Sequence, residues 1–154
     1  MILPIIGYGD PVLRKTGELL SAEHPQLQET IANMYDTMYN AYGVGLAAPQ
    51  IGLALRLFVI DTTPFSDDEE LDDAAQKQLQ GFKRTFINAK MIKEEGEEWS
   101  FNEGCLSIPD VREDVYRNPT ITIEYCEEDF VMKTEVFDGL IARVIQHEYD
   151  HIEG

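Results

Sequence analysis

Basic residues are scarce in this sequence: 12 Lys and Arg stand against 29 Asp and Glu, a formal charge of −17 over 154 residues. Phosphate contacts are made by clustered Lys and Arg, so this balance argues against a nucleic-acid-binding surface. Cysteine is nearly absent as well. Cys105 and Cys126 are the only two, too few for a disulfide framework, and in a reducing compartment two thiols are expected rather than one bridge. No stretch approaches the about eighteen apolar residues of a membrane span, and Met1 to Gly7 lacks the basic and apolar regions of a signal peptide. A cytoplasmic protein with no membrane attachment is expected.

With 44% hydrophobic and 27% charged residues, the chain can bury enough apolar surface for a single domain spanning 1–154. The acid is concentrated in two runs, Ser66 to Asp73 and Glu94 to Glu98, which read as solvated loops. From Pro25 to Tyr42, Leu27, Ile31, Met34 and Met38 recur at steps of four, three and four, the spacing of one helical stripe. Gly43 is expected in the left-handed position that closes this helix, and Gly45 in a tight turn after it. Strands are expected across Leu55 to Ile60, Thr85 to Ile92, Thr120 to Tyr125 and Phe130 to Phe137, and a loop with a short helix between Thr62 and Gln80. Cys126 closes the third of these strands and suits the role of a small hydrophobe. Asp138 is a cap for a last helix on which Leu140, Val144, His147 and His151 share a row, placing both histidines on its buried side. Strands outnumber helices without alternating with them, so the expected class is α+β, with antiparallel sheets wrapped around this last, central helix.

That helix carries chemistry. His147-Glu148-Tyr149-Asp150-His151 is an H-E-x-x-H sequence, and residues four apart on a helix project from one face, so two imidazoles can meet one metal ion. The carboxylate between them stays free to handle the protons of an activated water. The plain alternative is a pair of core or surface histidines on a glutamate-rich helix. A hydrolytic metal site takes three protein ligands and an open position, which leaves the motif one ligand short. Cys105 is the best candidate, because Glu103-Gly104-Cys105-Leu106-Ser107 is a short segment whose glycine lets the backbone approach another group closely. A Cys105–Cys126 disulfide is the competing reading. His24 precedes Pro25 at a helix start and reads as a surface residue. A third segment, Gly43-Val44-Gly45-Leu46-Ala47-Ala48-Pro49-Gln50, signals little beyond a turn packed on the core. Its Gln50, however, offers an amide that can donate to a developing oxyanion.

Together the three segments resemble the peptide deformylase family, whose motifs read G-x-G-x-A-A-x-Q, E-G-C-x-S and H-E-x-D-H and stand here as Gly43 to Gln50, Glu103 to Ser107 and His147 to His151. Ile5 to Lys15 is similar to the family's opening segment, and only the acidic stretch near Asp67 to Asp73 falls outside the resemblance. The resemblance implies a metal-dependent hydrolase that takes the formyl group from the N-terminal formylmethionine of newly made proteins and releases formate. It implies one divalent ion on Cys105, His147 and His151, usually Fe(II) in cells, with zinc, nickel or cobalt as replacements. It makes Glu148 the general base and then the general acid, and gives Gln50 and the backbone N–H of Leu106 to the formyl oxygen. Gly45 is the implied contact to the substrate backbone, which joins the glycine-rich segment as an added strand. Ile108, Val144 and Ile145 fit a methionine pocket or ordinary core packing; Arg112 fits the outer substrate cleft or a plain surface position. Relatives usually continue beyond D-H-x-x-G with a strand and often a helix that in some of them docks on the ribosome. This sequence stops at Gly154, so a shortened end, open to fraying, is expected, and the charge argues against a ribosome contact. Two further readings stand beside this one: another H-E-x-x-H hydrolase such as a peptidase, and a silent metal-binding module.

Overall fold

The structure is a computed structural model that describes residues 2–6, 11–64, 73–105 and 108–153, with the side chains of 14, 75 and 100–115 outside the description. Helix α1 (Leu27–Asn40) buries the expected stripe of Leu27, Ile31, Met34 and Met38, together with Thr37. Its end corrects one expectation. The left-handed residue is Tyr42 (φ 57°), not Gly43. The N–H of Tyr42 donates to Tyr39 O (3.1 Å) and that of Gly43 to Met38 O (3.0 Å), the paired closure of a Schellman turn. A left-handed tyrosine costs about 1–2 kcal/mol. Its side chain lies almost wholly in solvent, where nothing crowds it, and the two bonds offset the strain.

Strands β1 (Gly45–Ala47), β2 (Leu57–Asp61) and β3 (Lys83–Glu95) lead to a hairpin of β4 (Trp99–Cys105) and β5 (Ile108–Arg117), then to β6 (Thr120–Cys126) and β7 (Lys133–Asp138). Helix α2 (Asp73–Leu79) is the short helix expected before β3, and α3 (Gly139–Glu153) ends the described chain. The acidic residues 66–72 lie outside the described residues. Five strands pair antiparallel in the order β1-β2-β3-β6-β7, and β4 and β5 form a sheet of their own.

The apolar pattern of β2 explains the layering. Phe58 and Ile60 join a core with Phe86, Ile121, Ile123, Tyr125 and the α3 residues Ile141, Ile145 and Ile152. Leu57 and Val59 face the other way, into a core with Met34 and Met38 of α1. A strand buried on both faces reads as one continuous apolar run, as this one does. Phe86 fixes the centre, stacked on Phe58 (ring centroids 4.7 Å) and tilted against Tyr125 (4.3 Å). Each such side chain contributes about 1.5–3 kcal/mol by leaving water.

Several boundaries differ from expectation for identifiable reasons. Glu94 and Glu95 are not loop residues: they end β3, paired with Ile121 and Thr120, and only the turn at Gly96 (φ 90°) follows them. Phe130 is not in a strand, because its φ of 56° closes a turn whose N–H reaches Glu127 O (3.0 Å). Asp138 both ends β7 and directly precedes α3, the position expected of a cap, and its carboxylate accepts from Gln78 Nε2 (3.0 Å). The β4–β5 hairpin was not anticipated at all. Its strands are rich in Asp, Glu and Arg, and backbone pairing from Trp99↔Arg117 to Gly104↔Arg112 defines them where composition does not.

Candidate active site

The row of α3 that faces the core is Ile141, Ile145, Glu148 and Ile152, at steps of four, three and four. This corrects the expected row by one residue, or about 100° around the helix. Glu148 is therefore the buried member of the motif, 4% exposed, while His147 and His151 are half-buried on the shoulder beside it. The arrangement suits chemistry better than burial of the rings would, since a ligand pair must be reached by water and substrate.

The imidazoles of His147 and His151 stand 5.2 Å apart between centroids, with planes at 70°. Two imidazoles binding one tetrahedral ion at about 2.1 Å hold their centroids about 5 Å apart, so this spacing fits a shared ion. Among the described residues no group of three His, Cys, Asp or Glu is placed to hold a metal ion. Cys105, the expected third ligand, ends β4 opposite Ile108 after an irregularity in register at Gly104, and its side chain is outside the description. The same holds for the side chains of Ile108 and Arg112, and Leu106 lies outside the described residues altogether. The disulfide reading fails on the other thiol: Cys126 is free and buried, its Sγ directed at Ile87 O (3.6 Å), and burial raises its pKa.

Strand β1 brings the glycine-rich segment against α3. A Cβ added to Gly45 would stand 2.9 Å from Glu148 Cγ and 2.9 Å from its Oε1, so the carboxylate occupies the space that any other residue at 45 would fill. The segment turns as expected, but its first part is a strand at one edge of the sheet. The N–H of Asp61 donates to Val44 O (2.9 Å), and antiparallel bonding alternates, so the N–H and C=O of Gly45 point away from β2. The N–H of Ala47 points the same way, and Gln50 Oε1 accepts it (3.0 Å). Gln50 is 1% exposed in the 3₁₀ turn Ala48–Ile51. With its oxygen accepting from Ala47, the amide NH2 is the donor end of the side chain.

A second row on α3, unread in the sequence, attaches the β4–β5 hairpin. The Arg143 guanidinium lies 4.3 Å over the Trp99 ring and donates to Trp99 O. Gln146 Nε2 donates to Asn118 O (3.0 Å), and Arg117 Nη1 pairs with Asp150 Oδ2 (2.7 Å). The available signal was an arginine and a glutamine in the middle of an amphipathic helix. Val144 (8% exposed) and Ile145 (0%) both belong to the core cluster. His24 is half-buried in a turn, its N–H bonded to Ser21 O (3.1 Å).

Paired imidazoles beside a buried carboxylate on an α+β frame fit the class of metal-dependent hydrolases. Comparison with known proteins narrows the class. The polypeptide deformylase family model matches residues 2–154. A peptide deformylase of Flavobacterium johnsoniae is 82% identical over 154 residues, which cover 100% of this chain and 79% of that protein. The crystal structure of peptide deformylase from Thermotoga maritima superposes with a TM-score of 0.85 at 33% identity, covering 99% of this chain and 92% of that one. A class I type b peptide deformylase from Acinetobacter baumannii gives 0.87 at 28% identity, covering 100% and 95%. The chain belongs to the polypeptide deformylase family. It is a metal-dependent hydrolase that removes the formyl group from the N-terminal formylmethionine of newly made proteins.

Proposed function

We propose that residues 1–154 act as one catalytic domain in which Cys105, His147 and His151 hold a single divalent ion and Glu148 moves the proton. One observation carries this reading: a buried carboxylate packed on Gly45, with half-buried imidazoles on both sides of it in the chain. When bound, the ion supplies Lewis-acid activation of water and of the formyl oxygen. Glu148 takes a proton from the attacking water and returns it to the departing amine. Burial strips the carboxylate of competing water and keeps it in one orientation. The Gln50 amide and the Leu106 N–H donate to the oxygen on which negative charge grows.

The outward N–H and C=O of Gly45 receive the peptide backbone as an added strand. Ile108 and Val144 are assigned to the pocket for the methionine side chain, and Arg112 to the outer substrate cleft. Thiolate and imidazole ligands suit iron, zinc, nickel or cobalt, and we assign Fe(II) as the metal in the cell. No helix among the described residues is long and apolar enough to cross a membrane. The enzyme is assigned to the cytoplasm, and the charge of −17 argues against direct nucleic-acid contact, leaving formyl-Met peptides as its partners with at most a transient encounter at the ribosome. Formate release from formyl-Met-Ala-Ser by anaerobically prepared, metal-loaded protein tests the reading. Formate with no internal cleavage is expected, and Glu148→Ala serves as the inactive control. Internal cleavage without formate points to a peptidase, and metal retained at full stoichiometry without turnover points to a silent module.

A further inference from the structure

Outside the three motifs, one polar cluster ties the end of α3 to the sheet. Arg56 lies just ahead of β2, with its side chain 11% exposed. Its Nε and Nη2 both donate to Ala89 O (3.2 and 2.6 Å), and Nη2 also reaches Glu153 Oε1 (3.0 Å). The guanidinium stands 5.7 Å over the Tyr149 ring. The Tyr149 hydroxyl accepts the N–H of Met91 (3.0 Å), so one side chain of the helix joins the β3 ladder. Backbone groups complete the attachment. Gly17 N–H donates to Ile152 O (2.7 Å) and Thr16 Oγ1 to Glu153 O (3.1 Å), which satisfies carbonyls that a helix end otherwise leaves open. A Cβ on Gly17 would lie 2.7 Å from Leu55 C, so this approach requires glycine.

The cluster is rigid on the sheet side. The N–H of Arg56 is held by Glu18 O (2.8 Å), and Arg56 O accepts from Asn88 N–H (2.8 Å). Its two helix partners, Tyr149 and Glu153, stand one turn apart with His151 midway between them in the chain. A planar fork bonded to a carbonyl and a carboxylate at once resists both sliding and rotation of that turn. Imidazoles meet one ion only while their separation is kept; partners bonded directly to metal ligands typically change metal affinity by about 10–100-fold, and a group acting through the helix belongs at the low end of that range.

We propose that Arg56, acting through Tyr149 and Glu153, is a positioning residue that holds the last turn of α3 so that His151 keeps its place beside His147. The inference rests on the reading of both histidines as metal ligands. Its test is the rate at which protein loaded with one equivalent of Zn²⁺ gives the ion up to a chromogenic chelator, together with amide exchange over 150–153. Release about tenfold faster is expected in Arg56→Ala, with faster exchange confined to the last turn. Tyr149→Phe keeps the ring and removes only the hydroxyl, so it remains informative if Arg56→Ala folds poorly, and a smaller acceleration is expected. Arg84→Ala deletes a comparable pair with Glu135 between β3 and β7 and should cost stability without hastening release. Parent-like release from Arg56→Ala, or equal acceleration in Arg84→Ala, overturns the inference alone. A His151→Ala variant that retains zinc as well as the parent does overturns the ligand reading itself.

Discussion

Helices α1 and α3 are of nearly equal length and pack on opposite faces of one sheet, but what they bury differs. The buried row of α1 is apolar except for Thr37, whose hydroxyl donates to Asn33 O (2.7 Å) and accepts from Leu3 N–H (2.8 Å). The buried residues of α3 include Arg143, Gln146 and Glu148. Burying polar groups is unfavourable unless they are bonded, and Arg143 and Gln146 donate to carbonyls of the β4–β5 region, which α3 thereby anchors. The third, Glu148, faces the glycine of an edge strand. A helix that serves only stability can be uniformly apolar on its inner face, whereas a helix that presents chemistry accepts polar burial and needs attachments to remain in place.

Three experiments separate the two helices, and a fourth probes the sheet beside them. The largest effect is expected for Glu148→Gln, which keeps the shape and removes the carboxylate proposed as the base: kcat should fall about 10³-fold with metal content unchanged. Turnover within tenfold of the parent removes Glu148 from the proton path. In α1, Met34→Ala deletes a wholly buried side chain and should cost about 3 kcal/mol in denaturant unfolding, while kcat per folded molecule stays at the parent value. A matching fall in kcat there would mean that the faces are not independent.

Gly45→Ala is expected to lower kcat about 10²-fold with little change in KM, because the backbone donors survive while the methyl displaces the Glu148 carboxylate. In a Glu148→Gln background the same change should add almost nothing; full additivity refutes the steric link. The smallest effect concerns the edge of the sheet, outside both helices. Burial alone raises the Glu135 carboxyl, but the Tyr125 hydroxyl and the Arg84 guanidinium outweigh it and hold it below the usual carboxylate range. A depressed carboxyl stabilises the fold above its unfolded value of about 4.3, and that contribution is lost as pH falls through the lower folded value. Removing Glu135 by substitution with Gln should flatten the acid limb of the unfolding profile by under about 1 kcal/mol, since the pair is partly solvated. An unchanged acid limb shows that the pair contributes nothing to folding.

Much of this was legible in the residues because it is local. The stripe Leu27, Ile31, Met34 and Met38, the alternation of Ile121, Ile123 and Tyr125, and the turn-by-turn spacing of His147 and His151 all follow from periods of 3.6 and 2. Which shoulder of α3 faces inward was not legible, since apolar residues occupy two adjacent rows and only packing against β1 and β2 selects one. Tyr42 rather than Gly43 closes α1 for a similar reason: both can follow the last turn, and the path into β1 decides between them.

The sequence by itself determined the helices, most strands, and the kinds of groups that a deformylase reaction calls on. Only the tertiary structure decided that Glu148 rests on Gly45, that Gln50 turns its oxygen to Ala47, and that Arg56 and Arg143 attach α3 to strands far away in the chain. Periodicity reports what a residue shares with neighbours one turn or one pleat away. The meeting of segments about a hundred residues apart depends on which buried surfaces and unpaired polar groups complement each other across the core, and no local pattern records that.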